Sequence, residues 1–313
     1  MKTKKSVNPK HFLTGEELSQ GDLESLLKLA ESLKKERQSG QLLRKELAGQ
    51  SLGLIFEKPS LRTRFSFMIA MQELGGFSIE SVMGTRKTEE PQDLMRVLNG
   101  FCHGIVYRTH AHSVFNKMAP HAKIPMINGL SDEHHPCQIL ADMQTLRERF
   151  GNLKGLSVAY IGDGNNILHS LLLLLPYLGA EVRFSSPVGY TPHSLIVEKA
   201  EMRAKESGGS VVAAEDPIEA VKGANAIYTD VWTSMGFETE KKDRDKAFTG
   251  YQLNEKLYAH AAKNAVLMHC LPMERGREIT DAMADHKNSV LFDQSENRLH
   301  AQKALLMMLM GQV

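Results

Sequence analysis

Hydroxyl, guanidinium, imidazole, amide, carboxylate and thiol groups gather in a few short segments of this 313-residue chain. Ser60-Leu61-Arg62-Thr63-Arg64 joins two hydroxyls and two arginine forks where a strand-like run gives way to a helix. Unsatisfied backbone N–H groups, the positive end of a helix dipole and a guanidinium together make a phosphate site. Ser60 equally fits an ordinary helix N-cap with solvated arginines beside it. Arg108 closes another apolar run and suits either a second anion contact or a surface charge. His135 and Gln138, three residues apart at a helix start, can aim at one cleft and donate to the same oxygen. His134, His135 and Cys137 lack the spacing of a zinc site, so no metal is expected.

The later segments point to an amine. Asp163-Gly164-Asn165-Asn166 carries half of a dinucleotide-binding turn, but Leu168 stands where the third small residue should be. A glycine-rich turn that presents asparagine side chains to a ligand explains it as well. Asp230 and Ser234 can anchor an amine and clamp a carboxylate, or simply start a turn. Cys270 has three readings: a nucleophile, a weak polar contact or an inert buried thiol.

Such groups work together only if a scaffold gathers strand ends. Leu18, Leu23, Leu26, Leu27, Leu29 and Leu33 recur at helical spacing and predict an amphipathic helix starting near residues 20–22. Apolar runs predict strands at 51–56, 104–108, 124–128, 155–162, 181–184, 226–229, 265–269 and 289–292. Helical spacing predicts helices over 61–74, over 137–150 up to Gly151, and from the Asn166 turn through 178. Strands alternating with helices imply an α/β fold with parallel sheets flanked by helices and joined by right-handed crossovers. Ligands of such sheets lie beyond the carboxyl ends of the strands, where almost every candidate side chain falls.

Composition narrows the function. The chain has 38 Lys+Arg against 37 Asp+Glu, a net charge of +1 that offers no bulk attraction to nucleic acid or to an anionic membrane. A hydrophobic fraction of 42% with 24% charged residues describes a globular protein, and the length suits two domains. Cys102, Cys137 and Cys270 are too few and too scattered for a disulfide framework, which fits a reducing, cytoplasmic location. The basic stretch Met1 to Lys5 is followed by Asn8, Pro9 and acidic Glu16-Glu17, so no secretion signal is expected. The most apolar stretches, 171–175 and 305–310, are too short to span a bilayer.

Taken together, the segments resemble the aspartate/ornithine carbamoyltransferase family, in the right order across almost the whole chain. Phe56-Glu-Lys-Pro-Ser-Leu-Arg-Thr-Arg64 resembles its carbamoyl phosphate signature, Val106-Tyr-Arg-Thr109 its next arginine, and His135-Pro-Cys-Gln-Ile-Leu-Ala-Asp142 its His-Pro-x-Gln segment. Asp230-Val-Trp-Thr-Ser-Met-Gly236 and His269-Cys-Leu-Pro272, with Arg275-Gly276, resemble the ornithine branch in particular. The resemblance implies a carbamoyl phosphate-binding domain over 1–148, an ornithine-binding domain over 149–295, and a last helix, 296–313, packing back on the first. It also implies a homotrimer, small-molecule substrates and no cofactor. Ser60, Leu61, Arg62 and Thr63 would hold the phosphate. Arg108, His135 and Gln138 would polarise the carbamoyl oxygen, with Arg298 and the Cys270-Leu271 backbone completing that site. Asn166, Asp230, Ser234 and Met235 would receive ornithine, with Cys270 orienting its amine.

Two positions depart from the family pattern. Leu61 stands where many members carry Thr, which keeps a backbone contact and removes a hydroxyl. The stretch 83–92 lacks the usual Gln-Leu-Gly run, although Glu89 and Asp93 match that region, so a residue lent from it to a neighbouring subunit is unassigned. Competing readings differ in testable ways. A carbamoyltransferase acting on putrescine, aspartate or an acylated ornithine would differ around Ser234-Met235-Gly236. A nicotinamide-dependent dehydrogenase needs the fingerprint that Leu168 spoils. A non-catalytic scaffold would be expected to have lost Arg62, His135 or Cys270, and all three are present.

Overall fold

The computed structural model describes residues 11–82, 89–234 and 237–311. The chain forms two compact units, one of Met1–Cys137 with Arg298–Val313 and the other of Gln138–Asn297.

The first unit contains α1 (Gln20–Gln38), β1 (Ser51–Phe56), α2 (Arg62–Glu73), β2 (Phe77–Val82), α3 (Pro91–Phe101), β3 (Gly104–Arg108), α4 (Ser113–Met118) and β4 (Met126–Leu130). Its sheet has the order β2-β1-β3-β4, and every pairing is parallel. All residues of β1 and β3 are buried, which is why both read as unbroken apolar runs rather than as alternating ones. A capping box opens α1: the Ser19 hydroxyl accepts from the Asp22 N–H, and the Asp22 carboxylate accepts from the Ser19 N–H.

Next comes α5 (Pro136–Phe150), within which the first unit gives way to the second. The second unit continues with β5 (Ser157–Ile161), α6 (Asn166–Leu174), β6 (Glu181–Ser185), α7 (Ser194–Lys205) and β7 (Ser210–Ala213). There follow α8 (Pro217–Val221), β8 (Ala226–Thr229), α9 (Lys241–Ala247), α10 (Glu255–Tyr258), β9 (Val266–His269) and α11 (Asp281–Ala284). The chain re-enters the first unit within α12 (Leu291–Met310). This sheet is also wholly parallel, in the order β7-β6-β5-β8-β9.

Three sequence expectations need correction. The strand expected at 289–292 is absent: Ser289 makes one isolated bridge to Leu267, and Leu291 already opens α12. The three apolar residues that follow Ser289 do not distinguish strand from helix, and here the helix takes the last two. The last helix therefore begins at Leu291 rather than at 296. β2 and β7 were not anticipated; both lie at sheet edges, and β7 and residues 77–81 of β2 have only half-buried or exposed side chains, which leaves little apolar pattern. Among the described residues, no helix is long and apolar enough to cross a membrane.

Candidate active site

The first unit gathers the anion-binding candidates at the carboxyl ends of β1 and β3. β1 runs through Glu57 to Ser60 into α2, whose N-cap position is Leu61 with no side-chain cap. Ser60 is thus not the cap residue, and the first-turn N–H groups of α2 lack a capping acceptor of that kind. With the helix dipole behind them, they suit an anion. Leu61 is exposed, whereas Thr63 is buried and its hydroxyl accepts from Arg298 Nη2 at 3.0 Å. Helix α12 thereby delivers Arg298 to the first turn of α2.

Arg108 stands opposite Phe56 in the β1–β3 register, and the β3–β4 pairing slips between Tyr107 and Arg108. Such irregularities re-aim side chains at the end of a strand. Glu57 locks this end in place. Its N–H donates to the Arg108 carbonyl at 2.9 Å, and its carboxylate accepts from Tyr107 Oη at 2.7 Å, Thr109 Oγ1 at 2.7 Å and the His110 N–H at 2.8 Å. Periodicity gave no sign of this role, although a carboxylate directly after an apolar strand was the available signal.

His135 lies buried among the cations. Burial, reinforced by the positive charges of Arg298, Arg108 and Arg62, holds its imidazole well below the usual histidine range. The ring is therefore neutral at neutral pH and can still donate one N–H to an oxygen. Three guanidiniums acting on one buried neutral ring make an environment that favours an anion.

The remaining candidates belong to the second unit. Gln138 is buried, and its Nε2 donates to Asp142 Oδ1 at 2.8 Å. Asp142 also accepts from Gln294 Nε2 at 2.7 Å and from Tyr228 Oη at 2.8 Å. This network fixes which end of the Gln138 amide is which.

Asp230 follows β8 and Cys270 follows β9, neighbouring strands, and the thiol donates to Asp230 Oδ1 at 2.9 Å. Asp230 Oδ2 accepts from Asn165 Nδ2 at 2.7 Å, while Asn165 Oδ1 caps α6 by accepting from the Ile167 and Leu168 N–H groups. Asn165 is thus bonded to Asp230, and Asn166 is the partly exposed first residue of α6. The turn before them needs glycine at 164, because a Cβ there would meet Pro192 N at 2.2 Å.

His269 was not singled out from sequence. Its Nδ1 accepts from the Leu271 N–H at 2.9 Å, and its Nε2 lies 3.0 Å from Glu278 Oε1, with both side chains fully buried. Because Nδ1 accepts, the ring proton sits on Nε2 and donates to Glu278. This pair holds Leu271 in the left-handed region, at φ 58°, just before its cis bond to Pro272. Asp230, His269 and Cys270 have ligand atoms within 4.8 Å of one another, but both His269 ring nitrogens are already engaged.

Ser234 is partly exposed, and Met235 and Gly236 lie outside the described residues. The segment before them is tied down. Arg244 Nη1 donates to the Trp232 carbonyl at 3.0 Å and to Asp163 Oδ2 at 2.8 Å, and Arg277 Nη2 donates to Thr233 Oγ1 at 2.6 Å. Burial pushes the Asp163 carboxyl up to about 6 against the pull of Arg244.

Two domain models of one family match the chain in succession: the carbamoyl-P binding domain of aspartate/ornithine carbamoyltransferase over residues 10–148, and the Asp/Orn binding domain over residues 154–309. The chain belongs to the aspartate/ornithine carbamoyltransferase family. A relative from Thermococcus kodakarensis named ornithine carbamoyltransferase is 45% identical over 309 residues, covering 98% of each chain. The solved ornithine carbamoyltransferase from Pyrococcus furiosus superposes with a TM-score of 0.94 at 42% identity, covering 99% of this chain and 100% of that one. A solved N-acetyl-L-ornithine transcarbamylase mutant superposes at 0.85 with 29% identity, covering 96% of this chain and 99% of that one. The carbamoyltransferase family thus accounts for both parallel sheets.

Proposed function

We propose that the chain transfers the carbamoyl group of carbamoyl phosphate to the δ-amine of L-ornithine, giving L-citrulline and phosphate, a step of arginine biosynthesis that can also run in reverse. The observation that carries this reading is the meeting of Arg62, Arg108 and Arg298 charges on the buried, neutral His135. Such a cluster suits a substrate that is a phosphate at one end and a polarisable carbonyl at the other.

The first unit, extended to residues 1–148 with the last helix, takes carbamoyl phosphate; residues 149–295 take ornithine. Ser60, Leu61, Arg62 and Thr63 hold the phosphate, through first-turn N–H groups, hydroxyls and the Arg62 fork. Arg108 and neutral His135 donate to the carbamoyl oxygen, joined by Arg298, Gln138 and the Cys270-Leu271 backbone. Asn166, Asp230, Ser234 and Met235 receive ornithine, and the Cys270–Asp230 pair orients its δ-amine.

Carbamoyl phosphate is a mixed anhydride, so positioning and electrostatics suffice and no covalent enzyme intermediate is needed. The δ-amine, with a free pKa near about 10.4 by analogy with lysine, attacks only when deprotonated. Its nitrogen bonds to the carbamoyl carbon, an oxyanion develops beside Arg108 and His135, and the C–O bond to phosphate then breaks. Phosphate leaves with the bridging oxygen, and the nitrogen loses one proton.

A homotrimer is the assembly proposed. Leu61 at the N-cap of α2, Phe65 and Met68 within it, and Phe77 and Ile79 of the edge strand β2 expose apolar side chains, which supports self-association there. Three free cysteines support a cytoplasmic location. The test is turnover by Arg62→Ala: citrulline formation should fall below detection while the protein stays folded and associated. Near-wild-type turnover would remove Arg62 from the phosphate site.

A further inference from the structure

Arg277 lies in the loop that follows β9 and begins with Cys270. Its backbone is held on both sides: the N–H donates to the Glu274 carbonyl at 3.0 Å, and the carbonyl accepts from Gln252 Nε2 at 3.0 Å. The side chain is 12% exposed. Its Nε donates to Asp245 Oδ1 on α9 at 2.7 Å, Nη1 to Glu274 Oε2 at 2.5 Å and Nη2 to Thr233 Oγ1 at 2.6 Å. Cζ stands 5.6 Å from the centre of the Trp232 ring, within cation–π range. One planar fork therefore joins the loop after β8 to the loop after β9 and to α9, all inside the second unit.

The charge of this arginine is matched by the Asp245 and Glu274 carboxylates, which makes it a brace rather than a receptor for a substrate anion. Arg244, the residue before Asp245, donates to the Trp232 carbonyl at 3.0 Å. Helix α9 thus holds Trp232 directly and Thr233 through Arg277, the two residues that precede Ser234. Asp230, at the start of the same loop, has its own bonds to Asn165 and Cys270 and does not depend on Arg277. Loosening Thr233 therefore frees the Ser234 end of the loop and leaves the Asp230 end in place.

We propose that Arg277 is a positioning residue for the amino-acid end of the acceptor: by fixing the Thr233 hydroxyl it holds Ser234 where the α-carboxylate of ornithine arrives. The inference rests on the assignment of Ser234 to ornithine. The Arg277–Thr233 bond then sets the affinity for ornithine. The reacting δ-amine, placed by Asp230 and Cys270, keeps its rate, and carbamoyl phosphate keeps its affinity.

The test compares wild type, Thr233→Val, Thr233→Ser, Arg277→Met and the Thr233→Val/Arg277→Met double variant, with steady-state constants for each substrate and thermal unfolding of each protein. Thr233→Val removes the accepting hydroxyl and should raise KM for ornithine about fivefold, with kcat and KM for carbamoyl phosphate each within about twofold. Thr233→Ser keeps the hydroxyl and should behave as wild type. Arg277→Met should raise KM for ornithine about tenfold, and the double variant should lose no more than Arg277→Met alone, because both changes break one bond. A working wild type whose Thr233→Val variant keeps its KM for ornithine overturns the inference. So do single effects that multiply in the double variant, or a Thr233→Ser variant as impaired as Thr233→Val. Should Arg277→Met fail to fold, the contrast between valine and serine at 233 decides alone. A wild type that forms no citrulline overturns the functional reading itself.

Discussion

Replacing Lys303 by methionine removes one ammonium from the core of the first unit and leaves nearly the same volume. Lys303 is 1% exposed and its partner Glu73 is 8% exposed, with 2.8 Å between Nζ and Oε2. Breaking a buried pair from one side costs about 3–5 kcal/mol, because the other charge is left stranded. Glu73 keeps a second partner, Arg37 Nε at 2.9 Å, but that arginine is 37% exposed and solvent weakens its hold. The loss should therefore sit near about 2–4 kcal/mol, or a fall of about 5–15 °C in Tm for a domain of this size. The pH dependence has a definite sign. Burial pulls the Glu73 carboxyl up, but its bonds to Lys303 and Arg37 outweigh burial and hold it below the ordinary value of 4.5. A depressed folded-state pKa contributes stability above the unfolded value and loses it as pH falls through the folded value. The gap between wild type and Lys303→Met should accordingly be full at pH 7 and shrink as Glu73 takes up its proton in acid. Thermal unfolding followed by circular dichroism between pH 7 and pH 3.5 measures both. A Tm change within about 2 °C, or a gap unchanged across that range, would refute the reasoning.

Other outcomes follow from the same geometry. Because burial and three guanidiniums keep His135 neutral, kcat/KM for carbamoyl phosphate should show no titration near pH 6.5; a limb there that His135→Gln abolishes would contradict it. Cys270→Ala removes the 2.9 Å contact to Asp230 and should raise KM for ornithine about tenfold while leaving that for carbamoyl phosphate within twofold or so; equal effects on both would count against an amine-orienting thiol. Asp163, raised by burial to about 6 from 3.8, holds a proton in the folded state that the unfolded chain has released, so its contribution falls by ~3 kcal/mol as pH rises through that window. Asp163→Asn should flatten that part of the urea-midpoint profile, and an unchanged slope would rule it out.

What could be read from the sequence depended on how each element is covered. β1 and β3 are buried along their whole length and announced themselves as apolar runs; β7 and residues 77–81 of β2 have no buried side chain and did not. Ser289 to Phe292 carried a strand-like run into a helix start, because three consecutive apolar residues, 290–292, fit both. The candidate segments stood out by residue type at strand ends, but their partners did not. Glu57 bonds to residues 50–53 positions away, and Ser66 and Gln302 meet across 236. No local period encodes such contacts. Asn165 was not singled out in the sequence, and its cap on α6 and its bond to Asp230 are visible only in the structure. His269 and Glu278 form their pair where the backbone turns back between Arg275 and Ile279.

Acceptor choice tests the central claim most directly. Purified protein with saturating carbamoyl phosphate should be offered L-ornithine, putrescine, L-aspartate and N-acetyl-L-ornithine side by side, with carbamoylated product and released phosphate measured together. The account predicts citrulline and phosphate in equal amounts, with kcat/KM for L-ornithine at least about a hundredfold above every other acceptor, as expected when a buried polar site loses a matched partner. A higher kcat/KM for any of the other three would contradict it.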